Sequence, residues 1–66
     1  MMFPNLKNEL QRKNISLVSV AKLINCTEKT LQNKMNGKTD FRLNEVLAIN
    51  EQLLPEFELK YLFKRK

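Results

Sequence analysis

Five polar side chains in the middle of the chain have the types that can hydrogen-bond the edges of nucleic-acid bases. They lie between positions 27 and 33 and are Thr27, Glu28, Lys29, Gln32 and Asn33. Gln and Asn can pair with adenine through two atoms, Lys can donate to guanine, and Glu can accept from the amine of cytosine. If Leu31 and Met35, which are four residues apart and share one helix face, point inward, then Glu28, Lys29, Gln32 and Asn33 point outward. The pattern indicates a base-reading face, with an ordinary solvated polar face as the alternative.

The sequence contains few residues suited to metal binding or nucleophilic catalysis. The chain has no histidine and a single cysteine, Cys26. A zinc site, a Ser-His-Asp triad and a Cys-His nucleophile each need residues that are absent from this sequence. We therefore expect no enzyme activity, no metal, no cofactor and no small-molecule ligand, and we interpret Cys26 as a small buried hydrophobic residue.

Composition indicates one small globular domain spanning residues 1–66. The chain is 42% hydrophobic and 29% charged, which is typical of a folded chain, although its core must be thin at this length. A lone cysteine cannot form an intramolecular disulfide, which suits a reducing cytoplasm. No apolar run approaches the ~20 residues of a membrane span, and Met1 to Phe3 does not have the form of a signal peptide. We expect a cytoplasmic, nucleoid-associated protein without membrane contacts.

The positive charge is concentrated in the first two thirds of the chain. Residues 1–42 hold eight Lys and Arg against three acidic residues, a net charge of +5. Residues 43–66 hold four of each sign and are neutral overall. A basic region around the polar segment favours a partner that carries phosphate, and a solvated basic face is the alternative.

Two short helices joined by a tight turn must position the polar segment. Ser16 is the expected N-cap of a helix that runs to about Ile24, with its inward face formed by Val20, Ala21 and Ile24. Ala21 is small, which lets a second helix approach closely. Asn25 tolerates the positive φ that the turn needs, Thr27 caps a helix from Glu28 to Met35, and Gly37 ends that helix. A helix, a tight turn and a helix with a polar outer face form the helix-turn-helix DNA-binding unit.

Apolar spacing predicts a helix on each side of this unit. A first helix from about 4 to 13 presents Phe3, Leu6 and Leu10, and Asn14 ends it in the left-handed conformation. A fourth helix from about 43 to 53 is expected to close the core through four residues, with Ile49 on its flank. These four are Leu43, Val46, Leu47 and Leu53.

The C-terminal segment predicts a fifth helix with more apolar surface than one buried face requires. Pro55 suits its first turn, and the stretch from 56 to 63 carries apolar residues on two stripes. Either both stripes cover the thin core or one contacts a second subunit, and we favour a homodimer contact. The candidate contact residues are Phe57, Tyr61, Leu62 and Phe63. The final Lys64, Arg65 and Lys66 are expected to form a frayed basic tail.

From Leu6 to Leu53 the sequence resembles the Cro/phage-repressor type of helix-turn-helix, the xenobiotic-response-element family of bacterial and phage regulators. The matching positions are Ser16, Ala21, Asn25 in place of the turn glycine, Thr27, Leu31, and the closing pair Asn36-Gly37. The stretch from Phe41 to Val46 is similar to the start of the fourth helix in short prophage-encoded members. The resemblance implies a compact, all-α, five-helix lambda-repressor-like domain, with the helix-turn-helix in helices 2 and 3, that binds operator DNA, commonly as a dimer.

The same resemblance assigns roles to individual positions. Base reading falls to Thr27, Glu28, Lys29, Gln32 and Asn33, and phosphate contact falls to Ser16, Leu17, Lys38, Thr39 and Arg42. Two positions depart from the family pattern: Leu17 stands where many members have a phosphate-binding Gln, and Lys34 stands where an aliphatic residue often is.

The sequence favours a transcriptional regulator, specifically a phage or prophage Cro-like repressor acting on double-stranded DNA in a bacterial or phage-infected cell. The alternative is a protein-interaction module on the same fold, an anti-repressor or adaptor. Glu28 on the base-reading face and the aromatic C-terminal segment both permit this alternative.

Overall fold

The computed structural model describes residues 2–66, which fold into five helices without a β-strand. The helices are α1 (Pro4–Arg12), α2 (Leu17–Leu23), α3 (Glu28–Met35), α4 (Leu43–Leu53) and α5 (Leu59–Leu62). The all-α expectation is confirmed, and the bounds of the first four helices agree with the predicted ones to within one residue. The expectations for Met1, that it belongs to the domain and to no signal peptide, lie outside the described residues. No helix of residues 2–66 combines the length and the apolar character that crossing a membrane requires.

Local signals set the ends of the first three helices as the sequence predicts. The Ser16 hydroxyl accepts the Ser19 N–H at 3.2 Å, and the Thr27 hydroxyl accepts the Thr30 N–H at 3.1 Å. Asn14 and Asn25 adopt positive φ of 58° and 62°. These features need only a few neighbouring residues, so they can be predicted without knowing the rest of the fold.

The core takes apolar side chains from all five helices and from the segments beside them. Its fully or nearly fully buried members are Phe3, Leu6, Leu10, Val20, Ala21, Leu31, Met35, Ile49, Leu54 and Leu62. Cys26, predicted to be buried, is only partly buried at the edge of this core.

Helix α4 is rotated relative to the expected orientation. Leu43 is 73% exposed and Leu47 is 36% exposed, so the prediction that they close the core is wrong. Ile49, placed on the flank by the sequence, is fully buried, and Glu45 is buried one turn before it. Residues four apart share a face, so turning Glu45 and Ile49 inward necessarily turns Leu43 and Leu47 outward.

The segment between α4 and α5 is a turn, and the prediction that Pro55 lies in the first turn of a helix is wrong. Helix α5 begins only at Leu59. The Asn50 side chain donates to the carbonyl oxygens of Leu54 and Phe57, at 3.0 and 2.8 Å. These bonds satisfy carbonyls that a continuing helix would have used, and they hold the turn in place.

Two of the four candidate dimer residues, Leu62 and Phe63, pack against other residues of their own chain. Leu62 is fully buried in the core, so the prediction that it contacts a second subunit is wrong. Phe63 packs edge-to-face against Phe3 and Phe41, with ring centroids 5.9 and 5.4 Å apart. A core built from five short helices needs this apolar surface for itself. Phe57 and Tyr61 stack on each other at 5.6 Å, and Tyr61 keeps 40% of its surface exposed.

Candidate nucleic-acid interface

Helix α3 exposes the polar side chains and buries the apolar pair. Leu31 and Met35 lie in the core, whereas Glu28, Lys29 and Gln32 are exposed. Asn33 is partly buried, so it presents less of its amide than Gln32 does. Three exposed side chains of different hydrogen-bonding character therefore lie along one accessible helix.

The hydroxyl of Thr27, the first residue of the polar segment, already has hydrogen-bond partners within the chain. Thr27 accepts the Thr30 N–H and donates to the Thr30 hydroxyl at 2.9 Å. Thr30 is exposed beside it, although the sequence interpretation did not include it. This pair caps α3 and leaves Thr27 less free to contact a base than its exposure suggests.

The turn before α3 is fixed by backbone hydrogen bonds to α2. The Cys26 N–H donates to the Ala21 carbonyl at 2.9 Å, and the Asn25 N–H donates to the Lys22 carbonyl at 3.2 Å. Ala21 is 3% exposed, and its short side chain allows the two helices to pack closely. The direction of α3 relative to α2 is therefore set by the backbone and by packing.

The loop after α3 begins with a Schellman-type end. The Gly37 N–H donates to the Lys34 carbonyl at 3.2 Å, and the Lys38 N–H donates to the Asn33 carbonyl at 2.9 Å. Gly37 has φ of +82°, as its predicted role requires. This geometry turns the chain so that Lys38, Thr39 and Arg42 follow on an exposed loop. Phe41 anchors the loop by packing against Phe3 at 5.4 Å.

A buried ion pair joins the end of α3 to the start of α4. The Lys34 ammonium lies 2.6 and 2.7 Å from the two carboxylate oxygens of Glu45, and each side chain is 10% exposed. Glu45 also accepts the Arg42 N–H at 2.9 Å. Burial alone would raise the pKa of Glu45, but the hydrogen bonds from Arg42 and Lys34 outweigh it and hold this pKa below its ordinary value of 4.5. Lys34 thus fills an inward position by pairing its charge.

The expected phosphate-contacting residues do not all have equal access to solvent. Ser16, Lys38, Thr39 and Arg42 are exposed, whereas Leu17 is partly buried. A groove of about 200 Å³ runs beside Leu17 and is lined by Lys7, Leu17, Gln32, Met35 and Asn36. Lys7 of α1 therefore supplies a cation next to Gln32, where Leu17 cannot. The sequence favours a solvated Lys7, because only the packing of α1 shows that it lies near α3.

Ion pairing separates the basic residues of the first two thirds of the chain into two groups. Arg12, Lys13 and Lys34 each lie within 4 Å of a carboxylate. The other five have no carboxylate of residues 2–66 within that distance: Lys7, Lys22, Lys29, Lys38 and Arg42. Their charge is therefore available to an anionic partner.

The surface described so far comprises the exposed face of α3, the groove beside it and the basic loop that follows. Comparison of the chain with protein-family models, with curated proteins and with solved structures finds no match. The function of this surface has to be inferred from its own geometry and charge.

Proposed function

We propose that the protein is a sequence-specific DNA-binding regulator of transcription, a Cro-like repressor of the phage or prophage type. In this proposal α2, the turn and α3 act as a helix-turn-helix within a lambda-repressor-like domain. The observation that carries the proposal is the exposure of Glu28, Lys29 and Gln32 on α3 above a fully buried Leu31. A helix that is rigidly held and polar on its outer face fits the major groove of B-DNA.

Each part of the surface has a distinct role in this proposal. Gln32 and Lys29 read base edges, while Lys38, Thr39 and Arg42 bind phosphates and set the orientation of the domain. The Lys34–Glu45 pair keeps the phosphate-binding loop in a fixed position relative to α3. A repressor of this kind acts by covering DNA that RNA polymerase would otherwise occupy.

A domain of this size needs a second copy for useful affinity, because one small module buries little DNA surface. Two copies on half-sites one helical turn apart, about 34 Å, would double the contacts. After Leu62 is excluded, the exposed Tyr61 and the Phe57 ring stacked on it are the candidates for that contact in the C-terminal segment.

Binding to duplexes selected from a random-sequence pool tests the proposal. We expect affinity to fall steeply with salt, because each neutralised phosphate releases counterions. Gln32→Ala should change the selected sequence, whereas Lys38→Ala should weaken all sequences alike and reduce the salt slope by about 1.

Lys60→Ala is the matched control for charge. Lys60 is an exposed lysine of α5, a helix that contacts α1 and α4 but not α3. This variant should bind like the unmodified chain. Failure to bind any duplex, or binding that does not change with salt, would refute the proposal.

One observation favours a second candidate function, a protein-interaction module such as an anti-repressor or adaptor. The outward rotation of α4 leaves Leu43 and Leu47 exposed one turn apart, and such apolar pairs are typical of protein contacts. Under this alternative, Leu43→Ser would abolish capture of a partner protein and no duplex would be bound. Under the main proposal, the same variant would retain DNA binding.

A further inference from the structure

The basic C-terminal segment is held against the end of α3. The Lys66 N–H donates to the Met2 carbonyl at 2.9 Å, and the Met2 N–H donates to the Met35 carbonyl at 3.1 Å. The Arg65 guanidinium lies 3.5 Å from the Asp40 carboxylate. The expectation of a frayed tail is therefore wrong, because backbone bonds connect residue 66 through residue 2 to the last turn of α3.

This arrangement creates an open groove beside two lysines, and positive charge favours an anion. The groove has a volume of about 600 Å³ and is lined by Met2, Asn36, Lys38 and Lys66. Two lysines and one asparagine thus line it together with Met2, and no Asp or Glu does. An anion bound in the groove would be attracted by both lysine charges.

The groove is continuous with the surface assigned to DNA. Asn36 lines both this groove and the one that contains Lys7 and Gln32. The two grooves therefore adjoin at Asn36, with Lys7 and Gln32 beside one and Lys38 and Lys66 beside the other. A phosphate of a duplex that contacts α3 would lie along these grooves, whereas a site for a small free anion would not need such continuity.

We propose that Lys66, together with Lys38 and Asn36, binds a backbone phosphate of the DNA duplex, so that the C-terminal segment forms part of the interface. This inference rests on the proposed function. Lysine binds phosphate as a point charge, and the contact carries no base information. The exposed ion pair between Arg65 and Asp40 adds little energy. The Lys66 ammonium has no carboxylate of residues 2–66 within 4 Å.

The test compares the full chain with Lys66→Gln on a selected duplex and on a mixed-sequence duplex over a range of chloride concentrations. We expect Lys66→Gln to weaken both by about three- to tenfold at low salt and to reduce the salt slope by about 0.9, the value for one phosphate. Lys66→Arg should restore both quantities, and Lys60→Gln should change neither. The selected sequence should be the same for all variants.

The possible outcomes separate the two proposals. If the unmodified chain binds duplexes with a steep salt slope and Lys66→Gln matches it, this inference is overturned and the proposed function stands. If the unmodified chain binds no duplex, both are overturned. A titration with inorganic phosphate at constant ionic strength tests whether the groove instead binds free phosphate. If the amide signals of Gly37 and Lys66 shift with phosphate while Lys66→Gln leaves duplex affinity unchanged, the groove is a site for free phosphate. That result would overturn the inference.

Discussion

Replacing Glu45 by glutamine removes the carboxylate that accepts both hydrogen bonds of the buried Lys34 ammonium. The ammonium lies 2.6 and 2.7 Å from the two carboxylate oxygens, and about 10% of each side chain is exposed. Glutamine keeps the shape and one oxygen that can still accept the Arg42 N–H. The substitution therefore isolates the loss of a charge partner.

Removing one partner of a buried ion pair typically costs 3–5 kcal/mol, because the remaining charge is left without compensation. The flexible Lys34 stem lets the ammonium move toward water, so we expect Glu45→Gln to lower the free energy of unfolding by about 2–3 kcal/mol. A domain of this size has a total stability of roughly 3–10 kcal/mol, so the loss is large. Removing both charges, with Lys34→Met added, should bring stability back to within about 1 kcal/mol of the unmodified chain.

Urea unfolding followed by circular dichroism, repeated at several pH values, measures these differences. The pKa of Glu45 in the folded chain lies below 4.5, its ordinary value in the unfolded chain. The unfolded state therefore binds more protons, and the contribution of Glu45 is complete above pH 4.5 and is lost as pH falls through the folded pKa. The difference between the unmodified chain and Glu45→Gln should therefore shrink below pH 4.5.

The Lys13–Glu56 pair is the matched control. The Lys13 ammonium lies 2.7 Å from a Glu56 carboxylate oxygen, but the Lys13 and Glu56 side chains are 35% and 49% exposed. Exposed pairs contribute little, so Glu56→Gln should destabilise the chain far less than Glu45→Gln. Equal effects of the two substitutions, or a Glu45→Gln effect that does not change with pH, would refute the reasoning.

Three further predictions concern the core, the loop after α3 and the contact of α5 with α1. Ile49→Ala should cost about 2–5 kcal/mol in urea unfolding, whereas Leu43→Ala, a removal of similar size at an exposed site, should cost under about 0.5 kcal/mol. Gly37→Ala should cost about 1–2 kcal/mol in the same assay, because φ of +82° is unfavourable for a residue with a Cβ, and an unchanged unfolding midpoint would contradict this. Tyr61 donates to Glu9 at 2.6 Å, which raises the pKa of its phenol above 10.0, so its contribution to stability is complete below pH 10 and is lost as pH rises through the folded pKa. Because the chain has one tyrosine and no tryptophan, phenolate absorbance reports this titration directly, and Glu9→Gln should return it toward pH 10.

The Lys34–Glu45 pair also connects stability to the proposed function. The Lys34 ammonium on α3 contacts the Glu45 carboxylate on α4, so the pair connects α3 to the end of the loop that the proposed function assigns to phosphate contact. If α3 enters the major groove, Glu45→Gln should weaken DNA binding even under conditions where the chain is fully folded. Reduced affinity without a change in the selected sequence would show that the pair positions the interface rather than reading bases.

The sequence by itself determines the elements around α3. Ser16, Asn25, Thr27 and Gly37 each act through neighbouring backbone groups, so helix bounds and turn conformations follow from residue types. The buried Leu31 and Met35 follow from helical spacing. These interactions involve residues only a few positions apart, so no knowledge of the remaining fold is needed to predict them.

Tertiary structure alone decides the rotation of α4, the burial of Lys34 and the position of the C-terminal segment. Apolar spacing favours Leu43 and Leu47 as part of the inward face of α4, and a buried carboxylate is unfavourable in isolation. Glu45 can turn inward because α3 brings the Lys34 ammonium to it, a contact between different helices. Lys66 reaches the end of α3 for a similar reason, since its bond to Met2 joins opposite ends of the chain. Contacts of this kind depend on how whole helices pack together, which neither residue type nor spacing along the sequence can specify.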